Sequence, residues 1–120
     1  MDEFTKPLFW VGTSKRDLKA MPEDVQDVFG YALHLAQNGE KHVQSKPLKG
    51  FGGAGVLEIV EAFMGNAYRA VYTLIVGDAV YVLHCFHKKS TRGMKTPKRD
   101  IELIHARLSA AQAHAAGGTQ

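Results

Sequence analysis

An α+β fold with a mainly antiparallel sheet is what this sequence predicts, and three observations predict it. Two helical stretches come first, three strand-like runs separated by turn formers follow, and a last helix begins at a Thr-Pro pair. The turns between successive strands are too tight to admit a crossover helix, so the strands should form an antiparallel meander. With 120 residues, 45% of them hydrophobic and 22% charged, the chain can bury one core but not two ordinary ones. Residues 1–120 are therefore expected to form one domain, with a frayed C-terminal tail.

Residues 8–12, Leu-Phe-Trp-Val-Gly, read as a short strand of aromatic and branched side chains closed by glycine. Ser14, with Asp17 three positions on, resembles a capping box and starts a short helix over 14–21. Pro22, Glu23 and Asp24 start a second helix, with proline and two acids at the positive end of the helix dipole. Val25, Val28, Phe29, Ala32, Leu33 and Leu35 or Ala36 recur at spacings of three and four, which gives that helix one apolar face as far as about Gln37. Asn38-Gly39 stops it.

Residues 56–64, 68–76 and 79–87 read as strands, parted by Gly65-Asn66 and Gly77-Asp78. Alternation does not settle which face of the last strand is buried. Val80, Val82, His84 and Phe86 share one side and Tyr81, Leu83, Cys85 and His87 the other, and both are largely apolar, as in a central strand. Thr96-Pro97 introduces the last helix, with Ile101, Ile104, His105 and Leu108 at helical spacing and Gly117-Gly118 at its end.

Compartment and cofactor chemistry are constrained by composition. A single cysteine, Cys85, excludes an internal disulfide and fits a reducing cytoplasm. The chain opens with acids at Asp2 and Glu3 and has no basic-then-apolar leader, so no secretory signal is expected. Its apolar runs are strand-sized, short of the roughly 20 residues of a membrane span. No metal or other cofactor is expected: among the six histidines only His84 and His87 are close together, and residues three apart on a strand point to opposite faces.

The net charge is only +3, but its distribution is uneven. Lys88, Lys89, Arg92, Lys95, Lys98 and Arg99 fall in one stretch without an acid, after a strand and before a helix. Such a segment can neutralise several phosphates, with Thr91 adding a hydroxyl; a solvated loop is the plain alternative. Lys46 and Lys49 belong to a second basic segment, rich in glycine, that leads into a strand and lacks the Lys-Ser or Lys-Thr of a nucleotide-binding loop. It can lie along a polynucleotide or merely connect elements. Arg69, inside an otherwise apolar strand, must either meet a carboxylate, with Glu58 and Glu61 as candidates, or face a functional surface. His87 adjoins Lys88 and Lys89 and could transfer a proton beside a phosphate, or could be an ordinary exposed histidine. Cys85 reads as a core residue.

Over about residues 8–110 the chain resembles the RelE/HigB-like toxins of type II toxin–antitoxin pairs, and more narrowly their phage-derived branch. The resemblance is carried by Lys46-Pro47-Leu48-Lys49-Gly50-Phe51, Val56-Leu57-Glu58-Ile59, Tyr68-Arg69-Ala70-Val71-Tyr72, and Leu83-His84-Cys85-Phe86-His87-Lys88-Lys89-Ser90-Thr91 with Thr96-Pro97-Lys98-Arg99-Asp100-Ile101-Glu102. It implies a small RelE-like fold, two N-terminal helices and one C-terminal helix around the sheet. The implied activity is metal-independent cleavage of messenger RNA, often on the ribosome, by attack of the substrate's 2′-hydroxyl on the adjacent phosphate. The implied partner is a helix-turn-helix antitoxin of HigA type. By the same resemblance Arg69 and Lys89 contact the scissile phosphate and Lys88 binds phosphate or transfers a proton; His87, on its own chemistry beside these lysines, is a further catalytic candidate. Lys46 and Lys49 resemble the family's loop cations on the RNA backbone, and Thr91, Arg92 and Lys95, from the charge of the basic segment, are expected to hold the RNA with them. One position departs: Val60 stands where the family commonly has an arginine. A nucleic-acid-binding protein without catalysis, or a phage-related interaction protein, is the alternative.

Overall fold

The computed structural model describes residues 5–89 and 96–117. Its elements are β1 (Leu8–Trp10), α1 (Ser14–Lys19), α2 (Glu23–Gln37), β2 (Lys46–Pro47), β3 (Val56–Phe63), β4 (Asn66–Thr73), β5 (Val80–Lys89) and α3 (Lys98–Ala115). The five strands form one sheet in the order β1-β5-β4-β3-β2. β3, β4 and β5 make the antiparallel meander, β2 adds an antiparallel edge to β3, and β1 pairs parallel to β5. The architecture is therefore α+β with a mixed sheet and three helices, as expected of a small RelE-like fold.

Helix α2 forms for the reason its sequence suggests. Val25, Phe29, Ala32, Leu33 and Ala36 are buried on one stripe, and this apolar face supplies most of the reason for a helix of this length to persist. Gly39, at φ 79°, closes it in a Schellman arrangement: the Gly39 amide donates to the Ala36 carbonyl and the Glu40 amide to that of Leu35.

The sheet separates two cores. α1 and α2 cover one face, packing Leu18, Met21, Val25 and Phe29 against Leu57, Ile59, Tyr72, Val80, Val82 and Cys85. α3 covers the other, packing Ile104, Leu108 and Ala111 against Val56, Val71, Tyr81 and Leu83. Both faces of β5 are thus buried along its first half, which is why alternation alone did not choose between them.

Two local features differ from the sequence reading. The β3–β4 hairpin turns at Met64-Gly65, one residue earlier than Gly65-Asn66, and both turn residues have positive φ, 49° and 84°. That is the signature of a two-residue type I′ turn. The second feature is a β-bulge: Tyr72 pairs with Val82 and Val71 with His84, so Leu83 is an extra residue in β5. Past it the faces exchange. Cys85 joins Val80 and Val82 on the α1/α2 side, and Phe86 packs with Tyr81 and Leu83 on the α3 side.

Candidate nucleic-acid interface

The register across the sheet decides which candidate residues can act together, because residues directly opposite one another share a face. Lys46 lies opposite Glu58, Glu58 opposite Val71, and Val71 opposite His84. One step along, Val60, Arg69 and Phe86 form the next row. Lys46, Glu58, Arg69, Phe86 and Lys88 therefore belong to the α3 face. His87 and Lys89 point to the other: His87 stacks on Tyr68 with ring centroids 5.0 Å apart, and Lys89 lies opposite Asn66. Arg69 and Lys89, expected at one phosphate, are on opposite faces; Lys88 is the lysine that shares a face with Arg69.

Of the two explanations for a cation inside β4, the geometry gives the ion pair. Arg69 is 5% exposed and Glu58 7%, and Arg69 Nη1 donates to Glu58 Oε2 at 2.5 Å. The Thr96 hydroxyl donates to the same oxygen at 3.3 Å. Glu58 thus ties β4 and the segment leading into α3 to the centre of the sheet. Glu61, the other candidate, accepts instead from Gln44 Nε2. Val60, at the position where the related toxins commonly carry an arginine, lies directly across from Arg69.

A second polar anchor holds the start of α3. His84 Nε2 donates to Asp100 Oδ1 at 2.7 Å, the two side chains being 8% and 17% exposed. The His84 ring also stacks on Phe86 at 4.5 Å. Beside this pair a cleft of about 570 Å³ opens between the end of β5 and the first turn of α3, lined by Phe86, His87, Lys88, Pro97, Arg99 and Asp100. His87 lines the cleft as well, although its ring leaves the strand on the opposite face, where it stacks on Tyr68. Lys46 and Lys49 are exposed, with Lys46 on edge strand β2, three strands from Lys88. Thr91, Arg92 and Lys95 lie outside the described residues.

Phe86, Arg99 and the His84–Asp100 pair were not singled out from sequence. Arg99 entered only as one of six cations in the basic run, with no role of its own, and the pairing of His84 with an acid 16 positions on depends on how α3 crosses the sheet. Burial pushes the Cys85 thiol up to about 12, with Asp17 raising it further and Arg107 lowering it. A thiol so protonated is a core group and not a nucleophile. Among the described residues no three His, Cys, Asp or Glu side chains are placed to hold a metal ion, and no helix is long and apolar enough to cross a membrane.

A mixed sheet with two helices on one face and one on the other, bearing cations at one end, defines this protein as a small RelE-like α+β protein. The chain belongs to the phage-derived protein Gp49-like family (DUF891), whose model matches residues 16–109. That is a toxin-like family related to the RelE toxins of toxin–antitoxin systems. No curated protein and no solved structure gives a significant match.

Proposed function

We propose that this protein is the toxin of a toxin–antitoxin pair, of HigB-like type, and a metal-independent endoribonuclease that cleaves messenger RNA on the ribosome. The observation that carries the reading is the cleft at the end of β5, lined by Phe86, His87, Lys88 and Arg99, with Phe86 directly across the strands from the paired Arg69, in a chain of a toxin-like family. In the reaction the 2′-oxygen bonds to the adjacent phosphorus and the bond to the 5′-oxygen breaks. One proton leaves the 2′-hydroxyl and one is delivered to the departing 5′-oxygen. The enzyme supplies alignment, proton transfer and stabilisation of the negative charge that grows on the phosphoryl oxygens.

In this scheme Lys88 faces the scissile phosphate, and His87, exposed at the same cleft, is the proton-transfer candidate. Arg69 adds its positive charge from beneath, its guanidinium oriented by Glu58. Lys89, on the opposite face, and Lys46 and Lys49, on and after β2, hold neighbouring phosphates. Thr91, Arg92 and Lys95 retain the RNA-binding role that their sequence suggests. The cytoplasm is the proposed compartment, and a HigA-type helix-turn-helix antitoxin the proposed partner, tested by copurification with the adjacent-gene product. Val60, directly across from Arg69, favours a second reading, nucleic-acid binding without cleavage, because the guanidinium that the related toxins commonly have at that position is missing.

The deciding experiment measures thermal unfolding and cleavage of translated message together, without antitoxin, for the wild type and the Lys88→Ala/Lys89→Ala variant. Lost cleavage with unchanged melting supports the assignment. Full cleavage by the folded variant refutes the site, and a folded wild type that leaves message intact on ribosomes refutes the nuclease reading.

A further inference from the structure

We infer that the cleft between β5 and α3 is a subsite for single-stranded nucleic acid, in which Phe86 is the platform for a base and Arg99 joins Lys88 on the flanking phosphates. The inference rests on the RNA reading above and adds to it two residues and a mode of recognition. Its ground is the composition of the walls. Phe86 is half-buried and forms part of the cleft, with two cations, Lys88 and Arg99, on the same rim. An aromatic ring flanked by positive charge is the pairing that binds single strands, because every base has a face to stack and every linkage has a phosphate. The cleft's volume, about 570 Å³, falls in the range of roughly 300–1,000 Å³ typical of sites for small organic groups.

The acid in the cleft needs an explanation, since a bare carboxylate would repel phosphate. Asp100 Oδ1 is held by His84 Nε2 at 2.7 Å, which fixes the carboxylate against the sheet, while the two cations Lys88 and Arg99 outnumber the one acid among the lining residues. The same histidine supports Phe86 from behind, its ring nearly parallel at an interplanar angle of 15°. His84 thus holds two parts of the cleft at once, the aromatic platform through its ring and Asp100 through Nε2. An acidic peptide would also be drawn to the cations, but it has no use for a ring presented beside them.

The test is equilibrium binding of a fluorescein-labelled, 2′-O-methylated RNA oligonucleotide, which cannot be cleaved, to the whole chain. Arg99→Ala should weaken binding about three- to tenfold and flatten the dependence of log K on log salt by about 0.7. Phe86→Leu, which keeps apolar volume beneath α3, should weaken it about fivefold or more with little change in salt dependence, and Phe86→Trp should restore it. Thermal unfolding of each variant separates these losses from misfolding. Wild-type affinity in folded Arg99→Ala and Phe86→Leu variants overturns the inference while leaving the nuclease reading intact. If polyglutamate binds as tightly and is weakened equally by Phe86→Leu, the cleft is a peptide site and the inference also falls. If binding depends on both residues but the wild type cleaves no message, the subsite stands and the nuclease reading fails.

Discussion

Replacing Arg69 with alanine should destabilise the protein before it says anything about catalysis. Glu58 is 7% exposed, so removal of the guanidinium leaves a carboxylate in the sheet with the Thr96 hydroxyl, at 3.3 Å, and without its counter-charge. Breaking one side of a buried pair costs about 3–5 kcal/mol, most of it the price of the stranded charge. For 120 residues the unfolding entropy is roughly 0.25 kcal/mol/K, so Tm should fall by about 12–20 °C. Glu58→Leu should be costly for the mirror-image reason, since it takes the carboxylate counter-charge from a buried guanidinium. The double variant Arg69→Met/Glu58→Leu should recover much of either loss, because two apolar side chains of similar volume need no counter-charge. Urea unfolding of the four proteins, analysed as a double-mutant cycle, is the assay. A loss below about 1 kcal/mol for Arg69→Ala, or a double variant less stable than both single ones, would refute the argument. Activity lost by Arg69→Ala therefore bears on chemistry only at a temperature where the variant remains folded.

Two further outcomes can be read with the same instruments. Met64 is 85% exposed and holds φ at 49°, so Met64→Asn, which suits the first position of a type I′ turn, should raise stability by about 0.5–1 kcal/mol with an unchanged denaturant slope; a decrease would contradict the turn assignment. Cys85 gives a pH dependence: its thiol is raised to about 12 from an ordinary 9.0, so between those values the unfolded chain loses a proton that the folded chain keeps. Stability from this group is complete below about pH 9 and declines as pH rises, by about 1.4 kcal/mol per pH unit. Urea midpoints at pH 8, 9 and 10 should fall less steeply for Cys85→Ala than for the wild type; parallel curves would mean that the thiol is not protected.

Where the sequence was legible, the signal was local. The stripe of α2 and its Asn-Gly stop, the start of α3 at Pro97 and the three long strands are each written within a dozen residues, and the structure repeats them within two or three residues. β2 is two residues long and exists only as an edge on β3, so no period announces it. The parallel pairing of β1 with β5 joins Leu8 to Val80, a contact that no local pattern encodes. Met64 at positive φ breaks the preference of its residue type, and the predicted turn moved by one residue for that reason. At the site, the sequence narrowed the partner of Arg69 to Glu58 or Glu61, but choosing between them required the register.

The bulge at Leu83 is what turns this register into a site. With strict alternation from Val80 and Val82, which face α1 and α2, Phe86 and Lys88 would face those helices as well, and α3 would meet His87 and Lys89. One extra residue exchanges the faces, placing Phe86 and Lys88 beside Arg99 and His84 beside Asp100. Leu83 has no opposite number in β4, and its carbonyl accepts from Arg107 Nη1 at 2.9 Å. The same guanidinium reaches the Thr13 hydroxyl at 3.3 Å and fills the space where a Cβ on Gly12 would lie, 2.7 Å from Arg107 Cζ. Arg107 therefore pins the bulge to α3 and to the start of α1. Removing it by Arg107→Ala should cost about 1.5–3 kcal/mol, the range for a hydrogen bond to a charged donor, and should loosen α3 where it frames the cleft. Hydrogen exchange at the amides of residues 82–86 and 98–104, with oligonucleotide affinity measured alongside, reads both effects. Faster exchange in both segments with weaker binding is the expected result. Unchanged exchange in β5 would mean that the bulge is held by the ladder alone, and that the site's geometry does not depend on this contact.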